Sequence, residues 1–143
     1  MLRLVLSVFL LGALSGLSVY GCGGAGKAEV KPGKPIPGLK MSGLWYSAEF
    51  GYLKLVQDGN VLTGTYEDPR GVDHNGTLRG NIQNDLVRLD WVKPGNPTAA
   101  IMPQRGGAWM RIVDGGKRMR GRWGYDESDD NGGPWNAEKS QYD

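Results

Sequence analysis

Residues 52–66 read YLKLVQDGNVLTGTY and residues 109–123 read WMRIVDGGKRMRGRW. Laid over one another without a gap, they match Leu53 with Met110, Leu55 with Ile112, Gly59 with Gly116, Leu62 with Met119, Gly64 with Gly121 and Tyr66 with Trp123. In both, apolar and polar residues alternate on either side of a glycine-bearing break, the pattern of two strands joined by a tight turn. The period of two puts Leu53, Leu55, Leu62, Gly64, Tyr66 and their counterparts on a core face, and turns Lys54, Thr63, Thr65, Arg111, Arg120 and Arg122 to water.

Outward from this hairpin the same signal recurs. Short alternating runs fall at 43–49, 52–57, 60–67, 74–80, 84–92, 107–113, 118–125 and 134–139, and no helical periodicity of useful length appears between residues 41 and 143. Asp58-Gly59-Asn60, Gly115-Gly116-Lys117 and the stretch Asn81 to Asp85 supply reversals. Lys93 to Arg105, with Pro94, Pro97 and Pro103, is the longest break, because proline cannot donate to a ladder. A shorter unit, apolar-x-Gly-x-apolar, occurs at Leu62–Tyr66, Leu78–Ile82 and Met119–Trp123. An inward glycine weakens a strand, so Gly64, Gly80 and Gly121 imply a geometric need, either tight sheet curvature or close approach of a large aromatic. Trp45 and Trp91 are the aromatics placed to fill such space. The expected fold is therefore all-β, a small antiparallel up-and-down meander barrel of about eight short strands, with an open β-sandwich as the alternative.

Upstream of this domain, Arg3, the apolar run Leu4 to Leu17 and Val19-Tyr20-Gly21-Cys22 have the layout of a secretory signal. The run is shorter than the roughly 20 apolar residues a membrane-spanning helix needs. Its end resembles the lipobox of bacterial lipoproteins, with an aliphatic residue three before the cysteine, although Tyr20 is bulkier than the usual Ala, Ser or Thr. That resemblance implies cleavage after residue 21, a covalent lipid of palmitate-type acyl chains on Cys22, and a cell-envelope location. Gly23, in place of the Asp that favours inner-membrane retention, implies the outer membrane in a Gram-negative source. A stray buried thiol or an intermolecular disulfide is the alternative for this lone cysteine. Residues 22–40 then form the lipidated cysteine and a Gly/Pro/Lys-rich tether, expected to be solvated and to reach about 60 Å when stretched, and residues 41–143 the barrel domain.

Gly43-x-Trp45 at the start of the first strand resembles the opening of the calycin group, meaning lipocalins, fatty-acid-binding proteins and avidins. Gly-Leu-Trp followed by Leu-x-Leu and Gly-x-Tyr is similar to avidins in particular. The resemblance covers about the first third of the domain, and no biotin-binding constellation can be matched residue by residue. It implies that the tryptophan closes one barrel end under a basic side chain from near the last strand, a role open to Lys139, and it implies small-ligand binding as a possible function.

The remaining candidates are charges and aromatics. Removing residues 1–21 takes away Arg3 and leaves sixteen basic residues against fifteen acidic ones, so nothing in the bulk charge draws the chain to nucleic acid. Arg118, Arg120 and Arg122 alternate on one outward face with Arg111 and Lys117 nearby, a surface for anionic glycan, lipid phosphate or an acidic partner, or simply a solvated wall. Tyr52 and Trp109 point outward in the repeat and could stack on sugars or seat a protein. Glu127, Asp129, Asn131 and Glu138 shadow the oxygen spacing of a calcium loop, with a charged hairpin loop as the plainer account. One histidine, His74, in a polar setting and no assembled nucleophile, base and acid point away from an enzyme and from any cofactor beyond the lipid. The sequence thus predicts a membrane-anchored, non-catalytic barrel that binds an envelope protein or anionic glycan. The alternatives are a small hydrophobic ligand carrier, which would need a cavity above about 300 Å³, and an envelope enzyme inhibitor using loop 94–106.

Overall fold

The computed structural model describes residues 26–141, so the signal at 1–21, Cys22 and the first residues of the expected tether lie outside the described residues. Eight strands follow in order: β1 (Gly43–Ser47), β2 (Gly51–Asp58), β3 (Val61–Glu67), β4 (Gly76–Gln83), β5 (Leu86–Lys93), β6 (Gln104–Val113), β7 (Arg118–Trp123) and β8 (Gly133–Lys139). Each pairs antiparallel with the next, and β8 returns to β1 through Trp45↔Lys139 and Tyr46↔Glu138. Closure removes both sheet edges, so the meander barrel is the fold and the sandwich is not. Two boundaries move by three residues and the others by two or fewer. The reversal expected at 81–85 contracts to Asn84-Asp85, extending β4 to Gln83. β6 starts at Gln104 because Gly106 and Gly107 stay in the ladder opposite Trp91 and Asp90.

Inward side chains fill the barrel. Trp45, Trp135, Tyr66, Leu53, Leu62, Val87 and Met110 are fully buried, with Leu55, Leu78, Leu89, Trp91, Ile112 and Met119 around them. The outward positions of the same strands carry exposed Lys54, Arg79, Asn81, Asp90, Arg118, Arg120 and Arg122. An apolar interior inside a charged wall is the reverse of a membrane-spanning barrel, which turns its apolar band outward.

The three inward glycines have one explanation. A Cβ on Gly64 would strike the Lys54 carbonyl, one on Gly80 the Arg88 carbonyl and one on Gly121 the Trp109 carbonyl. In each case the obstacle is the carbonyl preceding the residue paired across the ladder, Leu55, Leu89 or Met110. Curvature that pushes neighbouring backbones together, not an aromatic from across the core, is what requires glycine here.

The repeat survives with a shifted register. Gly64 pairs with Leu55, but Gly121 pairs with Met110 instead of the equivalent Ile112. The first hairpin turns through Gly59-Asn60, whereas the second uses Asp114 to Lys117 in a 3-10 turn. Two extra turn residues shift the pairing by an even number, so every side chain keeps its face.

Residues 26–41 depart from expectation. They form a strap along the outside of β5 and under the barrel, largely exposed but hydrogen-bonded to it and so not a free tether. Lys27 pairs with Asp90 at 3.6 Å. Asp129 accepts from the Ala28 amide at 2.6 Å and from Arg88 Nη1 at 2.8 Å, while Arg88 Nη2 donates to the Ala28 and Val30 carbonyls. Arg111 bridges both Asp85 carboxylate oxygens and donates to the Lys31 carbonyl, and Asp85 accepts from the Gly33 amide. The chain then passes Gly116 with Leu39 and ends in Met41, which is wholly buried. Leu86 occupies an outward register on this face and is nonetheless 2 % exposed.

Candidate binding site at the open end of the barrel

The two barrel ends differ. One carries the short reversals Gly59-Asn60, Asn84-Asp85 and Asp114–Lys117 and is closed by Trp45, whose Nε1 donates to the Met41 carbonyl at 2.9 Å. Lys139, opposite Trp45 in the ladder, donates from Nζ to the Lys40 carbonyl at 3.3 Å. The other end carries loops 48–50, 68–75, 94–103 and 124–132, and here a recess of about 420 Å³ opens.

Aromatic rings form its wall. Phe50 meets Trp123 edge-on at 5.2 Å, Trp123 meets Tyr125 at 4.8 Å, and Trp91 contacts Trp123 and Tyr125, each at 5.9 Å. Trp91 is fixed by its Nε1, which donates to the Gly107 and Gly124 carbonyls at 3.2 and 3.1 Å. Phe50 also touches Tyr66 and Trp135. The Tyr66 hydroxyl and the Trp135 indole N–H are buried without a hydrogen-bond partner among the described residues. Burial, reinforced by the nearby Asp68 charge, pushes the Tyr66 hydroxyl up to about 12.

Set among these rings is an ammonium group. Along β5 the inward positions run Val87, Leu89, Trp91, Lys93, so the pleat that buries an indole carries a lysine into the mouth two residues later. Lys93 is only 5 % exposed, lines the recess, and makes no ion pair or hydrogen bond among the described residues. Burial lowers its pKa first, and the positive charge of Arg70 adds to this against the opposing pull of Asp68. Asp68 is already engaged: it accepts from Arg70 Nε at 2.8 Å, from Nη2 at 2.6 Å and from the Arg70 amide at 2.9 Å. The Arg70 hydrogen bonds hold the Asp68 carboxyl below the usual carboxylate range despite its burial. Arg70, Glu49 and Gln104 complete the polar rim. A largely covered cation without an ion pair, in a recess walled by aromatic rings, can receive an anionic group whose body stacks on the rings.

Other places are less complete. A groove of about 260 Å³ beside the strap has its charges matched, Lys27 to Asp90 and Arg88 to Asp129. The expected arginine face is partly self-paired. Arg118 meets Asp114 at 2.9 Å and Glu138 at 3.8 Å, Arg122 Nε donates to the Asp130 carbonyl, and Arg111 belongs to the strap clasp. Lys117 and Arg120 are exposed and have no ion pair among the described residues. Tyr52 and Trp109 do not form one surface: β2 and β6 stand on opposite walls of the barrel. Tyr52 is half exposed and pairs with Tyr46 at 5.4 Å, whereas Trp109 is partly covered, its Nε1 buried without a partner among the described residues. The calcium reading fails on geometry. Asp129 is buried in its pair with Arg88, Asn131 accepts from the Tyr125 amide, Glu127 pairs with Arg105, and Glu138 lies at the far end of β8 beside Arg118. No acidic, histidine or cysteine cluster able to hold a metal exists among the described residues.

The residues that sequence reasoning missed are Lys93, Arg70, Phe50, Tyr125 and Trp135. The signal for Lys93 was the β5 alternation carried one step past Val92. The fold and mouth together define an eight-stranded up-and-down barrel with an aromatic, cation-bearing open end. No family model, curated protein or solved structure matches the chain.

Proposed function

We propose that this protein is a lipid-anchored, non-catalytic binding barrel of calycin type whose open end takes an anionic ligand with a flat or apolar body. The observation that carries this reading is Lys93, largely covered and without an ion pair or hydrogen bond among the described residues, in a mouth lined by Phe50, Trp91, Trp123 and Tyr125. A lysine without a protein partner there adds nothing to stability, its charge being disfavoured by burial of its surroundings and by Arg70. It makes sense if the ligand supplies the counter-charge. The barrel interior is filled by side chains, so the ligand sits in the mouth and not within the barrel. On the outer arginine face the unpaired cations, Lys117 and Arg120, stand in open solvent with no aromatic wall around them, whereas Lys93 lines a recess.

The anchor rests on the signal-like segment and Cys22. Two or three acyl chains, at about 0.8 kcal/mol per buried methylene, hold a protein on a membrane stably. Cys22→Ala is expected to move the protein from the detergent phase to the aqueous phase on partitioning; unchanged partitioning would refute lipidation.

The mouth is tested by titrating detergent-solubilised protein with anilinonaphthalene sulfonate, an aromatic anion that fluoresces in apolar surroundings. We expect saturable one-site binding. Lys93→Met keeps the stem and removes the charge, and a charge-assisted contact of about 1.5–3 kcal/mol makes its loss worth roughly 10- to 100-fold in affinity. Equal binding by wild type and Lys93→Met would sink the proposal.

A further inference from the structure

The strap bounds where a lipid on Cys22 can reach. β5 runs from the closed end at Leu86 to the mouth at Lys93, and the strap runs against it. Gly33 bonds Asp85 at the closed-end turn, Val30 and Ala28 meet Arg88, and Lys27 reaches Asp90. Each step toward the N-terminus is thus a step toward the mouth. Asp90 is three residues, about 10 Å, short of Lys93 at the mouth, and Gly26 is four residues from Cys22, a path of at most about 14 Å, long enough to reach the mouth rim. A lipid on Cys22 can therefore enter a bilayer that meets the mouth.

The surface at that end suits the arrangement. Val72 is 81 % exposed, Met102 75 % and Tyr125 41 %, and they stand on three separate mouth loops, 68–75, 94–103 and 124–132. Exposed Tyr46, Tyr52 and Val92 lie at the mouth-side ends of their strands. The turns at the closed end present Asn60, Asn84 and Lys117, with Val56 of β2 the exposed large apolar side chain nearest them among the described residues. Exposed apolar side chains of this size are costly in water but fit the boundary between headgroups and acyl chains, where tyrosine is favoured, and the exposed charges of the same loops, Arg70, Asp126 and Glu127, would then lie among the headgroups. The loops have a fixed shape: in 94–103, Asn96 accepts from the Thr98 and Ala99 amides and its Nδ2 donates to Asp73 on the neighbouring loop.

We infer that the open end of the barrel faces the bilayer, with Val72, Met102 and Tyr125 seated in its interface. This rests on the anchoring reading above and adds an orientation to it. The mouth then collects its ligand at the membrane surface, and the closed end points away.

The test uses full-length protein purified from membranes and reconstituted in vesicles of phosphatidylcholine with phosphatidylglycerol. Acylation blocks the only native thiol, so Val72→Cys, Met102→Cys and Asn60→Cys each offer one site for a fluorophore. Mass spectrometry first reads Cys22. With the lipid present, labels at 72 and 102 should be quenched several-fold more by lipid-borne nitroxides than the label at 60. Quenching at 60 equal to or stronger than at 72 and 102, or none at any site, would overturn the orientation and leave the anchor standing. An unmodified Cys22 would overturn the anchor, and the orientation with it.

Discussion

Lys93 and Gly121 show how one position can serve opposite ends. Lys93 is held in a site that disfavours its charge, its folded pKa being lowered by burial and by Arg70. A base with a depressed folded pKa costs stability at every pH below the unfolded lysine value of about 10.4, and the cost vanishes above it. Lys93→Met should therefore raise the thermal midpoint at pH 7 while weakening anion binding, and the stability gain should disappear in denaturation at alkaline pH. A simple structural lysine would show no such opposition of stability and binding. Gly121 is the reverse case, a residue kept purely for shape. A methyl group there strikes the Trp109 carbonyl, which is backbone and cannot swing aside. Gly121→Ala should cost about 3 kcal/mol in equilibrium denaturation, the upper range for overpacking a core.

At the level of elements, the strap and the hairpins differ in how far they could be read from the chain. The hairpins announce themselves locally, since alternation and turn glycines lie within fifteen residues of each other, and every strand was legible from them. The even shift in the second hairpin left the faces intact, so the wrong register did no harm to the core assignment. Only half of the mouth was legible. Trp91 and Trp123 were placed inward, but Lys93 looked like the first residue of a proline-rich loop. The strap was illegible for a physical reason: its Gly, Pro and Lys content is that of a solvated tether. Its partners are remote, with Ala28 bound to Asp129 across 101 residues and Gly33 to Asp85 across 52. Removing one member of the Arg88–Asp129 pair, whose carboxylate side chain is 2 % exposed, leaves a buried unmatched charge. Arg88→Met should destabilise by about 3 kcal/mol. It should also speed hydrogen exchange at the Ala28 and Gly33 amides well before the barrel amides respond. Protection that is lost everywhere at once would mean the strap is inseparable from the barrel.

For the molecule as a whole, acid sensitivity follows from two carboxylates. Asp68 is lowered chiefly by its hydrogen bond to Arg70, and at Asp85 the Arg111 and Gly33 bonds outweigh a burial effect in the other direction. Both contribute stability that is present above the unfolded aspartate value of about 3.9 and is lost as pH falls through their lower folded values. Denaturation midpoints should drop below pH 4, and Asp85→Asn should flatten that drop while loosening the strap. The combined picture is a barrel filled at its core, capped by Trp45 at one end and open at the other, where an unmatched ammonium waits among aromatic rings. The measurement that bears most directly on this is the affinity of the aromatic anion as a function of pH. The account predicts that affinity in wild type falls as pH rises, with a midpoint below that of free lysine, and that Lys93→Met binds weakly and without that pH dependence. A profile that is flat in wild type, or the same in both proteins, would contradict it.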